Sequence, residues 1–471
     1  MENTTLTSMA SERLPLKVKV AYGLSGYSSF ITWTIFSLYG LYFFTDIVGI
    51  SAAFAGAMIS LGTLWDAITD PIVGSISDSI KSEKGRRRPL IIGVALPFAV
   101  ISVLLFTNFA FDEATSKVYF VIIILLYYTL QTILDISCSA LGSEMTLNYD
   151  ERSSLATYKN FFAMLVMVII SPTLVMTDFF GGMFENSDFG WSMTLACYMI
   201  LALFCIYTIW RTTKGYERHR ENTERIKAAD IKEVLKNKPV RMVMAIFLLG
   251  VFGNTINTSL QVYYMTYYVQ MTAGQISSLM LVAGITACVA TFGVDWLCIK
   301  ISKKLAWIIS VGLEAVVLLL FVGMIIHPGN VGMVFVCFIL IQLGVCAVYQ
   351  VPWSMIPDCV DVNELASGKR IDGIIFGLIA FIQKCAGAVA IAAVGAVLTA
   401  IGYTGTGDMV GETLSAMKLF YGIGCFVIFG ISVVVIMKYP LTKKRHDELL
   451  KAIDDRRSGK EINMDDFKDL I

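Results

Sequence analysis

The sequence is short of the residues on which metal sites and disulfide frameworks depend. It contains only three histidines, which all fall in predicted loops, and its ten cysteines include no pair separated by two residues. Most of the cysteines lie inside apolar runs, where we interpret them as small core residues. No spacing suggests a zinc site or a Ser-His-Asp triad. We therefore do not expect an enzyme or a resident cofactor.

The chain has no net charge and no cleavable leader is expected, whereas apolar sequence is abundant. Residues 1–16 lack the charged-then-apolar plan of a signal peptide, so the first apolar run is expected to direct insertion. Hydrophobic residues make up 56% of the chain, against about 45–50% in soluble domains. Runs of about 20 apolar residues, long enough to span a bilayer, recur throughout. The sequence therefore predicts an all-α membrane protein.

Twelve transmembrane helices are predicted, in two six-helix halves separated by a long basic loop. The spans lie near 18–44, 52–78, 90–109, 118–145, 158–177, 190–210, 239–265, 274–299, 305–326, 331–356, 372–401 and 417–438. The predicted divisions are an N-terminal half (1–210), a cytoplasmic linker loop (211–238), a C-terminal half (239–440) and a cytoplasmic tail (441–471). Weak similarity between the ends of spans four and ten fits duplicated halves, which are typical of transporters.

Basic residues are concentrated in alternate loops. Of 37 Lys and Arg residues, only Lys117 and Lys418 fall in loops on the opposite side, and Lys384 alone lies within a span. Because cytoplasmic loops carry the excess of basic residues, both termini are expected to be cytoplasmic. We predict a multi-pass protein of the bacterial inner membrane.

Two carboxylates lie within span two, where a charged group is energetically unfavourable. Asp66 and Asp70 are four residues apart, which places them on one helix face roughly 6 Å apart. At an effective dielectric of 20, the two charges repel by roughly 3 kcal/mol, so the pair is expected to hold a proton or a cation. Thr69 adds a neutral oxygen, and hard oxygen ligands suit Na⁺, Li⁺ or H⁺. The other interpretation is a buried structural pair neutralised by Lys384.

Two further charged residues lie inside predicted spans. Asp135 in span four can accept hydrogen bonds from sugar hydroxyls in a wet cavity, or it can pair with a lysine from another helix. Lys384 in span eleven needs an acidic partner, for which Asp66, Asp70 and Asp135 are candidates.

Span seven presents a polar face. Asn254 and Asn257 suit the wall of a binding cavity, although hydrogen bonding between helices explains them equally well. In the following spans, Asp295 and Glu314 are interpreted as gate or packing groups near the cytoplasmic ends or outer faces of their helices.

Charged residues at the predicted cytoplasmic ends of several helices suggest a gate. The segment joining spans two and three can serve as a topology anchor, a conformational latch or both. Spans four and ten each end in acidic residues followed by a basic one. The candidate gate residues are Asp78, Arg152, Asp358, Asp361, Glu364 and Arg370.

Several motifs together resemble one transporter family. Trp65-Asp-Ala-Ile-Thr-Asp-Pro71, followed by Gly85-Arg-Arg-Arg-Pro89, resembles the glycoside–pentoside–hexuronide:cation symporters of the major facilitator superfamily. Asp358-Cys-Val-Asp361 with Glu364 is similar to the signature of that family's second half, and Tyr439-Pro-Leu-Thr-Lys-Lys-Arg445 is similar to its tail. The resemblance implies the major facilitator fold, with two pseudo-symmetric halves.

The resemblance also implies a cation site. Asp66 and Asp70 match the family's two helix-two aspartates, and Thr132 matches a threonine of its helix four. Lys384 matches a lysine of its helix eleven, and Thr69 stands where a well-known member has an asparagine. The implied coupling ion is Na⁺ or H⁺.

The implied sugar site is only partly reproduced. Asp135 matches a sugar-binding aspartate, and Tyr349 matches an aromatic residue at the end of helix ten. Asn160 replaces an arginine, while Phe30 and Ser139 replace an aspartate and a tryptophan. Substrate identity and the choice of cation therefore stay open.

The hypothesis from sequence is cation-coupled symport of a glycoside, pentoside or hexuronide by alternating access. The alternative is cation-coupled transport of an amphipathic lipid or drug-like solute, which the loss of polar sugar ligands at Phe30 and Ser139 would allow. The expected partners are a small solute, a cation and membrane lipid. We expect a monomer and no nucleic-acid partner.

Overall fold

A computed structural model describes residues 13–79, 87–146, 149–216, 234–367, 372–403, 411–441, 443–458, 464–467 and 470. Every regular element in these ranges is helical. The first seven helices are α1 (Leu16–Tyr42), α2 (Ala52–Ser79), α3 (Arg88–Leu105), α4 (Glu113–Met145), α5 (Tyr149–Ile170), α6 (Thr173–Met183) and α7 (Ser187–Thr212). A π-helical turn, Phe43–Ile47, extends α1.

The remaining helices follow the linker. They are α8 (Lys238–Tyr263), α9 (Ala273–Lys300), α10 (Lys303–Val317), α11 (Val331–Ser367), α12 (Asp372–Ala400), α13 (Gly411–Leu419), α14 (Cys425–Met437) and α15 (Lys443–Arg457). Three π-helical segments extend or join them: Tyr264–Tyr268 after α8, Leu318–Ile325 after α10 and Phe420–Gly424 between α13 and α14. A short 3₁₀ turn, Met464–Phe467, follows α15.

Within the described ranges, eleven helical segments are long and apolar enough to cross a membrane. The pair formed by α5 and α6 makes a twelfth if it is one broken span, since its two parts meet at an angle of 47°. Pro172 lies at this break, where its missing N–H and its ring prevent a continuous helix. The predicted all-α architecture of about twelve spans is confirmed.

The chain divides into two compact units. The first comprises Met1–Asn222, Met271–Gly284 and Gly395–Asp408, and the second comprises Thr223–Gln270, Ile285–Val394 and Met409–Ile471. The predicted divisions at 1–210, 211–238, 239–440 and 441–471 remain a prediction.

In the first unit, α4 packs against α2 and α3, and α1 packs along α5. The closest approach lies at Gly26 of α1, where an added methyl group would overlap the carbonyl oxygen of Lys159 in α5. Only glycine allows the two backbones to come so near, as is common between membrane helices. This contact fixes the height of Lys159 relative to α1.

In the second unit, α8 and α10 each pack against α11 and α14. The helix α15 lies against α11. Its residues Leu449, Ala452 and Ile453 are buried, and their spacing of three and four places them on one face. The segment predicted as a tail therefore contains an amphipathic helix docked on the bundle.

Candidate functional site

A hydrogen bond between α2 and α4 joins two of the predicted cation ligands. The hydroxyl of Thr132 donates to Asp66 Oδ1. Thr132 is only 2% exposed, whereas Asp66 is half-buried. A carboxylate and a hydroxyl on facing helices thus present oxygen atoms at one point, which is the chemistry that Na⁺ or H⁺ requires.

The neighbouring residues of α2 extend this set of oxygens. Asp70 lies one turn beyond Asp66 and is also half-buried. The hydroxyl of Thr69 donates to the carbonyl oxygen of Asp66 at 3.2 Å, so it is held against its own helix. Pro71 lacks the N–H that would bond to the Ala67 carbonyl, which leaves a further backbone oxygen available in this part of the helix.

Two more hydrogen bonds fix the packing of α2 on α4. Trp65 Nε1 donates to Thr129 Oγ1 at 2.9 Å, and the hydroxyls of Thr63 and Tyr128 lie 3.0 Å apart. Because neither of these two contacts involves Asp66, the register of the two helices is set independently of that carboxylate.

Asp135 lies one turn beyond Thr132 on the same face of α4. Lys159 Nζ of α5 donates to Asp135 Oδ1 at 3.2 Å and to Ser139 Oγ at 2.8 Å. The Asp135 side chain is nevertheless 45% exposed, so a solute can reach it. The structure therefore places an ion pair and a hydroxyl, all able to bind sugar hydroxyls, beside the candidate cation ligands.

The other predicted solute-binding residues are more scattered. Asn160 is exposed on α5, and Asn254 is buried in α8 with 2% of its surface exposed. Tyr349 of α11 and Lys384 of α12 are half-buried within the second unit. Their roles as solute ligands and as charge partner remain predictions.

Asn257 is bonded on both sides within the second unit. Its Nδ2 donates to Glu314 Oε1 at 3.1 Å, and its Oδ1 accepts from the Tyr421 hydroxyl at 2.5 Å. Glu314 is completely buried, so the sequence-based placement of this residue near a helix end or outer face was wrong. One charged residue in an apolar run does not reveal which side of its helix faces the bundle.

Three predicted gate residues lie on the last turns of α11. Lys303 Nζ bonds both oxygens of Asp358, at 2.7 and 2.8 Å, and His446 of α15 lies 3.0 Å from Asp361 Oδ2. Glu364 is half-buried on the same stretch of helix. In the first unit, Asp78 and Arg152 lie in α2 and α5, whereas Arg370 lies outside the described residues.

The carboxylate beside His446 changes the acidity of its imidazole. The hydrogen bond to Asp361 is the main cause that raises the pKa of His446, with Asp358 adding to it while burial and Lys303 oppose it. The protonated imidazole is therefore favoured when α15 is docked.

Sequence reasoning missed two functional candidates. Lys159 counts as a loop residue in the pattern of basic residues, but it lies inside α5 and pairs with Asp135. The sequence did contain one indication of this role, because Lys159 lies beside Asn160, which replaces the family's arginine. His446 appeared as an ordinary loop histidine, because nothing in the local sequence indicates that α15 docks on α11.

Comparison with known proteins identifies the family. The family described as MFS/sugar transport protein matches residues 21–443. An uncharacterised symporter, YnaJ of Bacillus subtilis (strain 168), is 27% identical over 97% of this chain and 98% of its own length. The isoprimeverose transporter of Lactiplantibacillus pentosus is 26% identical over 97% of this chain and 95% of its own length.

A solved structure supports the fold. A bacterial homologue of the human lysosomal transporter Spinster superposes with a TM-score of 0.64, covers 94% of this chain and 98% of its own, and is 11% identical. At that identity the likeness concerns the fold alone, and it confirms the predicted major facilitator architecture. The predicted resemblance is likewise confirmed: the chain belongs to the MFS/sugar transport protein family, within the glycoside–pentoside–hexuronide:cation symporters, and is a multi-pass membrane transporter rather than an enzyme.

Proposed function

We propose that the protein is a cation-coupled symporter of a sugar, specifically a glycoside, pentoside or hexuronide. The observation that carries this proposal lies on one face of α4. There, Thr132 bonds to Asp66, and the Asp135–Lys159 pair lies on the next turn. An ion that binds at Asp66 can therefore change the position and charge of groups that contact the solute.

The cation binds to oxygens of Asp66, Asp70 and Thr132. Without it, two neighbouring carboxylates repel each other, and the Thr132 hydroxyl is committed to Asp66 as a donor. When the ion arrives, the hydroxyl turns its lone pair toward the ion, and α2 is drawn against α4. This stiffens the turn of α4 that carries Asp135, and so raises the affinity for the solute.

The solute site in the first unit is polar. Asp135 accepts from sugar hydroxyls, while Lys159 and Ser139 donate to them. The contact between Lys159 and Ser139 supports the sugar over the alternative of an amphipathic lipid or drug-like solute, because it lines this surface with hydrogen-bonding groups. Tyr349, Asn254 and Asn257 of the second unit remain predicted solute-binding residues.

The driving force for solute accumulation comes from the electric charge that crosses the membrane with the solute. One elementary charge crossing 100 mV supplies about 2.3 kcal/mol, which could concentrate the solute roughly 40-fold. We further propose that both termini lie in the cytoplasm of a bacterial inner membrane, that Na⁺ or H⁺ is the coupling ion, and that the protein acts as a monomer.

The test is solute accumulation in proteoliposomes. Labelled isoprimeverose is the first solute, followed by a panel of glycosides, pentoses and hexuronides, each with imposed Na⁺ or H⁺ gradients. The wild type is expected to accumulate one of these solutes only when a cation gradient is present. Asp66→Cys and Asp70→Cys are expected to abolish that accumulation.

Asp112→Asn is the matched control. Asp112 caps the first turn of α4 by accepting from the Thr115 N–H at 3.1 Å, and asparagine caps as well. This variant is expected to accumulate solute like the wild type. Full gradient-driven uptake by both Asp66→Cys and Asp70→Cys would refute the cation site, and competition by detergent-like solutes but not sugars would favour the alternative substrate.

A further inference from the structure

Glu314 is a carboxyl group enclosed in the middle of the second unit. It is 0% exposed, and its Oε1 accepts a hydrogen bond from Asn257 Nδ2 at 3.1 Å. Among the residues that the structure describes, no group forms a hydrogen bond with its Oε2. That oxygen occupies the space above Gly344 of α11, where any larger side chain would overlap it. The fold thus keeps a place for an acid whose second oxygen makes no hydrogen bond.

In the described part of the chain, the titratable groups found to interact with Glu314 are cysteines and tyrosines. The titratable side chains that interact with it are Cys346 and Tyr349 of α11, Tyr421 before α14, and Cys425 of α14. From α8 it meets the amide of Asn257. One turn back on α10, the Ser310 hydroxyl also has no hydrogen-bond partner within the described ranges. Among the described residues, no lysine or arginine pairs with it.

An ionised carboxylate in this setting would be a buried charge without a counterion. Such groups take up a proton instead, because the neutral acid loses far less hydration on burial. Since Oε1 is occupied as an acceptor by Asn257, the proton belongs on Oε2. An acid held in this way inside a membrane bundle is usually functional, because an apolar residue would pack there without the cost of an unsatisfied polar atom.

We propose that Glu314 is a proton-binding site of the second unit, occupied while the site is closed and exchanged with water during the transport cycle. The exchange step is Glu314–COOH releasing H⁺ to water and leaving a carboxylate. Glu314 belongs to the second unit, whereas Asp66, Asp70 and Thr132 belong to the first. The link to transport rests on the proposed function.

The connection to the solute runs through Asn257. This amide donates to Glu314 and accepts from the Tyr421 hydroxyl. When Glu314 loses its proton, the strength of the hydrogen bond from Asn257 to Glu314 therefore changes. A carboxylate on Glu314 would hold Asn257 Nδ2 more strongly, whereas the neutral acid accepts a weaker hydrogen bond from it, which a solute can replace at a lower cost. Protonation of Glu314 is therefore expected to favour solute binding at the α8 face.

The first arm of the test needs no solute. Infrared spectra of the purified protein are recorded in acidic and alkaline buffer, in H₂O and D₂O. The wild type is expected to show the carbonyl band of a buried protonated carboxylic acid, which shifts in D₂O. Glu314→Gln should lose this band, and Gly344→Ala, whose methyl group presses on Oε2, should shift it. Glu412→Gln, at an exposed position in α13, should keep it.

The second arm measures uptake against pH at a fixed Na⁺ gradient, with a solute that the wild type accumulates. A rate that requires the protonated acid falls about tenfold per pH unit above its titration point. Glu314→Gln should lack this fall, and Glu412→Gln should keep it. The proposal is overturned if Glu314→Gln and Gly344→Ala both leave the infrared spectrum unchanged, or if Glu314→Gln keeps the wild-type pH profile. Because the infrared arm is independent of transport, its result stands even if no sugar is carried.

Discussion

At the scale of single residues, the proposed cation site depends on the contact between Thr132 and Asp66. The Thr132 hydroxyl donates a hydrogen bond to Asp66, and it lies in a buried position that excludes competing water. Thr129, one turn away, makes a similar contact with Trp65 but lies outside the group of carboxylates. Variants of the two threonines therefore distinguish helix packing from the proposed cation binding.

Thr132→Ala is expected to weaken cation activation without stopping transport. Losing one hydrogen bond to a charged group costs about 1.5–3 kcal/mol, which corresponds to a rise of about tenfold or more in the half-saturating cation concentration. The measurement is uptake rate against Na⁺ or H⁺ concentration. Thr129→Ala is the control and should leave this value unchanged; an equal shift in both variants would mean that helix packing alone is responsible.

Lys159 offers a second prediction at this scale. Lys159→Met removes the partner of Asp135 and one donor to the solute, so we expect the apparent solute affinity to fall about tenfold, or about 1.4 kcal/mol. Lys159→Arg should recover part of the loss. A double-mutant cycle with Asp135→Asn measures the coupling between the two residues. Additive effects on affinity would contradict the assignment of a shared solute-binding pair.

At the scale of helices, the contact of α1 with α5 sets the position of Lys159. Gly26→Ala places a methyl group against the Lys159 carbonyl oxygen and is expected to lower the thermal unfolding temperature together with solute affinity. Gly93→Ala in α3 is the matched control, because its added methyl group meets nothing within 4 Å. That variant should be neutral or slightly stabilised. Equal behaviour of the two variants would show that the close approach is unimportant.

The docking of α15 gives a prediction with a pH dependence. The pKa of His446 is raised in the folded protein, so its contribution to docking is fully present below the ordinary value of about 6.5. This contribution to docking is lost as the pH rises through the raised pKa of His446. Hydrogen exchange of the α15 backbone should therefore quicken with rising pH beyond the intrinsic chemical effect.

His446→Gln should remove that additional pH dependence. His327→Gln is the control, since His327 is exposed in the loop before α11. Parallel pH profiles for the wild type and His446→Gln would contradict a role for the contact between His446 and Asp361.

At the scale of the whole molecule, apolar runs predicted the fold because lipid leaves the backbone few choices. A segment of about 20 apolar residues in a bilayer must form a helix to satisfy its own hydrogen bonds. The break at Pro172 was harder to predict from the sequence, because proline bends some membrane helices and leaves others continuous. In α2, Pro71 lies within a continuous helix.

The candidate site was predictable only in part. The spacing of Asp66 and Asp70 shows that they share a helix face, and the family resemblance added Thr132 to the predicted cation site. The partners of Asp135 and Glu314 come from other helices, at separations of 24 and 57 residues. No local pattern encodes which helices meet at those points, so Lys159 and the burial of Glu314 emerged only with the fold.

The central claim is that a cation bound at Asp66 raises the affinity for the solute at Asp135. Because such coupling is reciprocal, it can be measured by equilibrium binding without transport. The measurement is the solute Kd of the purified protein with and without the coupling cation, for the wild type and Asp66→Asn. We predict that the cation tightens solute binding by about 5-fold or more in the wild type and has no effect in the variant. The same cation dependence in both proteins, or none in the wild type, would contradict the account.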